Sequence, residues 1–209
     1  MSEGKRGGDK TRREAQRVAF ELFTSQGYEA TSLREIAERL GINKASLYYH
    51  FRSKEAILVS LFTERAQEAE DLVTWVREQP PGADLLERAV MRWVDSFSTD
   101  KLRGIRFMAA NPHIGRSLSA AEGDRIGSGL NELAELLSGL LPRPTPVDVM
   151  LVRMAVTSIN AAVHAAAGSE LNDDDIVEAA RTSARTLLRE VSSRQSGTTT
   201  SPARRGSRA

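Results

Sequence analysis

Ala15, Val18, Ala19, Leu22 and Phe23 follow one another at i, i+3, i+4, i+7 and i+8. That spacing is one face of an amphipathic helix. Gly27 stands where such a helix would take its C-cap. Ser32 with Glu35 three residues on has the spacing of a capping box. It predicts a short second helix whose inner face is Leu33, Ile36, Ala37 and Leu40. Gly41 marks a turn, and a third short helix starts near Asn43. "SKEAILVSLFTERAQEAEDLVTWVRE" reads as a long fourth helix capped by Ser53 and broken by "QPPGAD".

The rest of the chain keeps the helical period. "ADLLERAVMRWVDSF" is amphipathic, and residues 101–140 look helical with interruptions at Asn111-Pro112 and at several glycines. Pro142 to Pro146 reads as a stiff linker. From Val147 to Ala167 the chain is apolar almost all round, which predicts a helix buried on every side. A last helix carries Ile176, Val177, Ala180, Ala184, Leu187, Leu188 and Val191 on one stripe, with acids in its first turn. Those acids suit the helix dipole. No useful β-alternation appears, so the expected fold class is all-α.

Charge divides this helical chain. Residues 1–55 carry 11 basic and 8 acidic side chains, net +3. Residues 56–193 carry 14 and 20, net −6, and residues 194–209 carry 4 and 0. A basic front and an acidic middle suggest two regions with different tasks. The expected organisation is a disordered basic arm (1–8), a helix-turn-helix domain (9–55), a helical domain (56–193) and a disordered basic tail (194–209). The chain contains no cysteine, which excludes disulfides, thiolate metal sites and cysteine nucleophiles. Its three histidines lack metal-ligand spacing, and no P-loop, G-x-S-x-G or dinucleotide fingerprint occurs. An enzyme, a metal site and a cofactor are therefore not expected. Without a long apolar run or a signal-peptide pattern, a cytoplasmic protein with no membrane partner is the simplest reading.

Two short helices around a glycine turn, after a longer helix, are the elements of a helix-turn-helix. The second of them holds "KASLYYHF". Leu47 and Phe51 lie one turn apart and share a face. Tyr49 then points roughly 200° away from Leu47, beside Ala45. If Leu47 and Phe51 enter the core, Tyr49 must face outward, and Tyr48 flanks it. A phenol there can bond a phosphate, and its ring can pack on a sugar or a thymine methyl. The alternative is a pair of ordinary half-buried tyrosines.

"YEATSLREIAERLGINKASLYYHFRSKEAIL" resembles the DNA-binding domain of the tetracycline-repressor (TetR) family of transcriptional regulators. The likeness runs from about Asp9 to Phe62 and rests on Gly27-Tyr28, Thr31-Ser32, Ile36-Ala37, Gly41, Leu47 to Phe51 and Lys54-Glu55. Residues 63–209 share only length and helical character. The resemblance implies a three-helix DNA-binding head and a C-terminal bundle that binds a small molecule and dimerises. It implies that Lys44, Ala45, Ser46 and Tyr49 meet bases, and that Tyr48, His50 and Lys54 meet phosphates. Thr31, Ser32 and Arg34 would open the helix that crosses the DNA backbone. The implied partners are a palindromic operator in double-stranded DNA, a small-molecule effector and a second copy of the chain. The implied role is a repressor released from its operator by that effector. An architectural or nucleoid DNA-binding protein without ligand control is the alternative. Trp93, Phe97, Phe107, Met108, Asn111, His113, Met154 and Asn160 are the candidates to contact the effector, each of which also reads as plain core or surface.

Overall fold

The computed structural model describes residues 3–114 and 125–197. Every regular element among them is an α-helix. In chain order these are α1 (Glu3–Ser25), α2 (Leu33–Leu40), α3 (Lys44–His50), α4 (Lys54–Glu78), α5 (Leu85–Asp95), α6 (Thr99–Ala110), α7 (Arg125–Gly139), α8 (Pro146–Val156), α9 (Ser158–Ala165) and α10 (Asp173–Gly197). The chain divides into two compact units. One is Met1–Glu68 with Asn111–Gly127, and the other is Ala69–Ala110 with Ser128–Ala209. The division falls inside α4, further on than the change of charge at residue 55. No single helix among the described residues is long and apolar enough to cross a membrane.

Local chemistry sets the helix ends of the first unit. α1 begins at Glu3, within the stretch expected to be a disordered arm. Glu, Lys and Arg are good helix formers, which favours helix there despite Gly7 and Gly8. Gly27 ends the turn after α1 with φ of 98°, a region that only glycine enters cheaply. Ser32 Oγ accepts the Glu35 amide, and the Glu35 carboxylate accepts the Ser32 amide at 2.7 Å. After α2 the Gly41 amide bonds the Glu38 carbonyl and the Ile42 amide bonds the Ala37 carbonyl, both at 3.1 Å. That pair is a Schellman motif, and Gly41 supplies its left-handed φ of 68°. Asn43 Oδ1 then caps α3 by accepting the Ser46 amide at 2.7 Å. The core of this unit is Ala15, Val18, Ala19, Phe23, Tyr28, Ile36, Ala37, Leu47, Phe51, Ile57 and Leu58. One buried polar pair joins α1 to α4, where Gln16 donates to Ser60 Oγ at 3.0 Å.

In the second unit α10 packs on α8, α9 and α5. Ile176, Ala180, Ala184, Leu188 and Val191 are its buried stripe. The apolar stretch expected to form one helix is two. α8 and α9 meet at Thr157 with a 58° bend. Thr157 Oγ1 donates back to the Arg153 carbonyl at 2.9 Å, a bond that competes with the helix ladder. The Val156 carbonyl instead accepts the buried Trp93 indole N–H at 3.1 Å. Nor is the stretch buried on every side. Val147, Met150 and Met154 are 51%, 57% and 48% exposed, so one stripe of α8 lies open in the single chain.

The start of α8 is tied to the end of α10. Asp148 is fully buried and serves Thr145 in a capping box. It also accepts Arg194 Nε at 2.7 Å and Gln195 Nε2 at 2.9 Å. Gln195 further holds the Arg143 backbone at both its N–H and its carbonyl. Residues 194–197, expected in a disordered tail, are therefore the last turn of α10; residues 198–209 lie outside the described residues. The Thr145 amide and the Arg194 guanidinium hold the Asp148 carboxyl down at about 2. A depressed folded value makes the contribution present above the unfolded value of about 3.9 and lost as pH falls towards about 2. Asp148→Asn should lower stability to urea at neutral pH by about 1–3 kcal/mol. The gap to the unmodified protein should close as pH drops from about 4 towards about 2, and a gap independent of pH would show that the charge of Asp148 contributes nothing.

Candidate nucleic-acid interface

The outward face of α3 is created by its inward one. Leu47 and Phe51 are buried, at 0% and 2% exposure, while Tyr49 is 87% exposed. Lys44 and Ala45 are exposed beside it, and Ser46 and His50 are half-buried at the flanks. Tyr48 is 42% exposed. The Lys44 ammonium sits over its ring at 5.2 Å from the centroid. The Tyr49 and His50 rings meet edge to face at 5.2 Å. The result is a surface of two phenols, one imidazole and one ammonium. Exposed phenols and ammonium groups bond phosphates and base edges well.

α2 contributes less than expected. Thr31 is buried. Its hydroxyl donates to the Gly27 carbonyl at 2.8 Å and accepts Gln26 Nε2 at 3.3 Å. That inward use corrects the expectation that Thr31 meets DNA. Ser32 is exposed, with its hydroxyl engaged in the capping box. The Ser32 hydroxyl and amide hold the Glu35 carboxyl below its ordinary value, so the box is charged and intact at neutral pH. Arg34 is exposed and paired with Glu38 at 2.7 Å.

Two cations engage the fold itself, Lys54 half-buried and Arg12 exposed. Lys54 Nζ donates to the Tyr28 carbonyl at 2.8 Å, and its side chain is only 18% exposed. Arg12, a residue whose role sequence reasoning did not single out, lies over the Phe51 ring at 4.6 Å. Its Nη1 reaches the His50 carbonyl at 3.4 Å, at the C-terminal end of α3. Lysine and arginine that support the interface from behind carry the same sequence signal as those that face it. Lys10, Arg13, Arg39 and Arg52 are exposed.

The effector candidates are divided between the two units. Trp93, Phe97 and Phe107 are core residues, with Trp93 and Phe97 edge to face at 5.2 Å. Met108 and Asn160 are half-buried, and Met154 lies on the open stripe of α8. Asn111 and exposed His113 belong to the first unit. Part of the glycine-rich stretch after them, 115–124, lies outside the described residues. Among the described residues no group of His, Asp and Glu side chains could hold a metal ion.

Residues 17–61 match the family described as bacterial regulatory proteins, tetR family. The chain is 54% identical over 39 residues to IcaR of Staphylococcus aureus, a negative transcriptional regulator of a biofilm operon; the match covers 19% of this chain and 21% of IcaR. It is 46% identical over 44 residues to YerO of Bacillus subtilis, an uncharacterized HTH-type regulator, covering 21% and 15%. The match thus spans about a fifth of IcaR and less of YerO. Whole-chain likeness comes from solved structures. A tetR-family regulatory protein from Rhodococcus RHA1 aligns with a TM-score of 0.66 at 25% identity, covering 87% of this chain and 97% of that one. FadR of Bacillus subtilis, solved with stearoyl-CoA, aligns with a TM-score of 0.53 at 19% identity, covering 84% and 97%. The matched helix-turn-helix, with its buried Leu47 and Phe51 and its exposed Tyr49, is similar to that of the tetR family of bacterial regulatory proteins, and the all-helical fold is shared along the chain with a solved regulator of that family.

Proposed function

We propose that this protein is a homodimeric transcriptional repressor that binds a palindromic operator through α3 and is released from it by a small molecule. The observation that carries the reading is the 87% exposure of Tyr49 on a helix anchored by Leu47 and Phe51. Lys44, Ala45, Ser46 and Tyr49 are the side chains proposed to meet bases. Tyr48 and His50 are proposed to meet phosphates, with Ser32 and Arg34 at the start of α2. The negative regulation printed for IcaR supports a repressor. The stearoyl-CoA bound to FadR supports effector control. Neither names the effector here. The architectural alternative gains no support from a matched family of regulators. A cytoplasmic location, with no membrane partner, follows from the proposed task.

The open stripe of Val147, Met150 and Met154 is proposed to pack against a second copy. Apolar side chains in a line at i, i+3 and i+7 are a helix face without a partner. A symmetric dimer would present two copies of α3 to half-sites about one DNA turn apart, roughly 34–36 Å. The ligand would shift the population toward a conformation with a different spacing.

Selection of bound duplexes from a random pool, with the purified full chain, tests the main reading; recovery of no preferred sequence would overturn it. On the selected duplex, Tyr49→Ala should cost roughly 1–3 kcal/mol, with a smaller loss on random DNA. Equal losses would show that Tyr49 reads no sequence. Met150→Glu should shift the chain towards monomer in sedimentation by at least about tenfold in dissociation constant, since it places a charge in an apolar contact. An unchanged distribution would place the dimer contact elsewhere.

A further inference from the structure

Lys54 opens α4, where the resemblance places a phosphate contact. Its ammonium is already occupied. It donates to the Tyr28 carbonyl at 2.8 Å and to the Glu29 carbonyl at 3.4 Å, and reaches the Glu29 carboxylate at 3.5 Å. A lysine has three donors and no more. The same ammonium sits 4.3 Å from the centre of the Tyr28 ring, within the range of a cation–π contact. Tyr28 itself is buried, at 7% exposure, and packs edge-on against Phe23 at 4.9 Å. Its phenol bonds the Glu55 carboxylate, so burial and then that bond push its ionisation above the ordinary range. Two consecutive residues of the first turn of α4 thus grip one tyrosine of the α1–α2 turn from both sides.

The grip bears directly on α3. Only Phe51, Arg52 and Ser53 separate α3 from Lys54. Phe51 is buried and closes α3 through its amide on the Leu47 carbonyl at 2.9 Å. Ser53 caps α4 by accepting the Ala56 amide at 3.1 Å. A link that short has little freedom, so fixing the first turn of α4 fixes the end of α3. Arg12 works on the same end from α1, over Phe51 and on the His50 carbonyl. We infer that Lys54 is a positioning residue that ties α4 to the α1–α2 turn and thereby sets α3, and that it does not bind phosphate. This inference rests on the reading of α3 as the DNA-contacting helix.

Salt dependence separates the two roles. Loss of one phosphate contact lowers the slope of log affinity against log salt by about one, whereas loss of a tie lowers affinity at unchanged slope. The test uses the full chain and a duplex selected by the unmodified protein from a random pool. Lys54→Met should lose affinity by roughly tenfold, as for a lost hydrogen bond to a charged group, with the slope intact. Arg34→Ala, at an exposed cation proposed to meet a phosphate, should lose about one unit of slope. Hydrogen exchange without DNA supplies the second reading. The amides of Thr31, Leu47 and Phe51 should exchange roughly tenfold faster in Lys54→Met, while those of α10 stay unchanged. Lys54→Arg keeps the charge but replaces the compact ammonium by a planar fork. It should keep the slope and lose part of the affinity, and it serves if Lys54→Met does not fold. A slope lowered by about one in Lys54→Met, or full affinity in Lys54→Arg, overturns the inference. So does unchanged exchange at those amides, even if the unmodified protein binds no DNA, a result that would by itself sink only the reading of α3.

Discussion

The burial of Leu47 and Phe51 is the constraint on which the proposed interface depends. α3 has seven residues, too short to hold a helical shape alone. It exists because its inner face is packed and its ends are closed, by Asn43 at one and by the Phe51 amide at the other. Once those two side chains are inside, the helix geometry leaves no choice for Tyr49. Its exposure is forced, and the ring is left available to a partner. DNA is the partner proposed to cover it. Capping, packing and function are therefore one argument on this segment: the closed ends make the helix, the helix orients the rings, and the rings are what a groove would meet.

Positive charge in the first unit does two different jobs. Lys44, Arg39, Arg52, Arg13 and Lys10 are open to solvent and available to a polyanion. Lys54 and Arg12 face carbonyl oxygens and aromatic rings. Both sit where carbonyls collect, one at the α1–α2 turn and the other, itself exposed, at the end of α3. Carbonyl ends of helices and turns attract cations by the same electrostatics that favour anions at N-termini. A net charge of +3 for residues 1–55 is therefore not a count of cations free to meet a polyanion, because Lys54 is engaged within the fold.

Much of this was legible in the sequence. The capping box of Ser32 and Glu35, the glycine turn at Gly41 and the inward pair of Leu47 and Phe51 are local, and local signals depend on few neighbours. What was less legible depends mostly on residues that the fold brings near. Thr31 is a local exception, its hydroxyl turned inward to the Gly27 carbonyl four residues back. Lys54 turns inward because Tyr28, 26 residues away, lies beside it. The break at Thr157 depends on Trp93, 63 residues from Val156. Hydropathy alone therefore read two bent helices as one. The supposed tail at residues 194–197 was helical for the same reason: Asp148 is 46 residues from Arg194, and composition cannot show that they meet.

The buried Asp148 gives the second unit a fixed axial register. A carboxylate at the first turn of α8 meets a guanidinium in the last turns of α10, so the two helices run antiparallel. Each charge also suits the helix end it occupies. Burying one ion pair is costly, and such pairs are weak evidence for stability alone. Here the carboxylate is satisfied by Thr145, Arg194 and Gln195 together, which removes the usual penalty of a half-paired charge. What the arrangement adds is position. The open stripe of Val147, Met150 and Met154 starts one residue before Asp148, so its placement along α10 is set by the same bond. A surface proposed to pair with its own copy needs such a register, because a symmetric contact repeats any error in it twice.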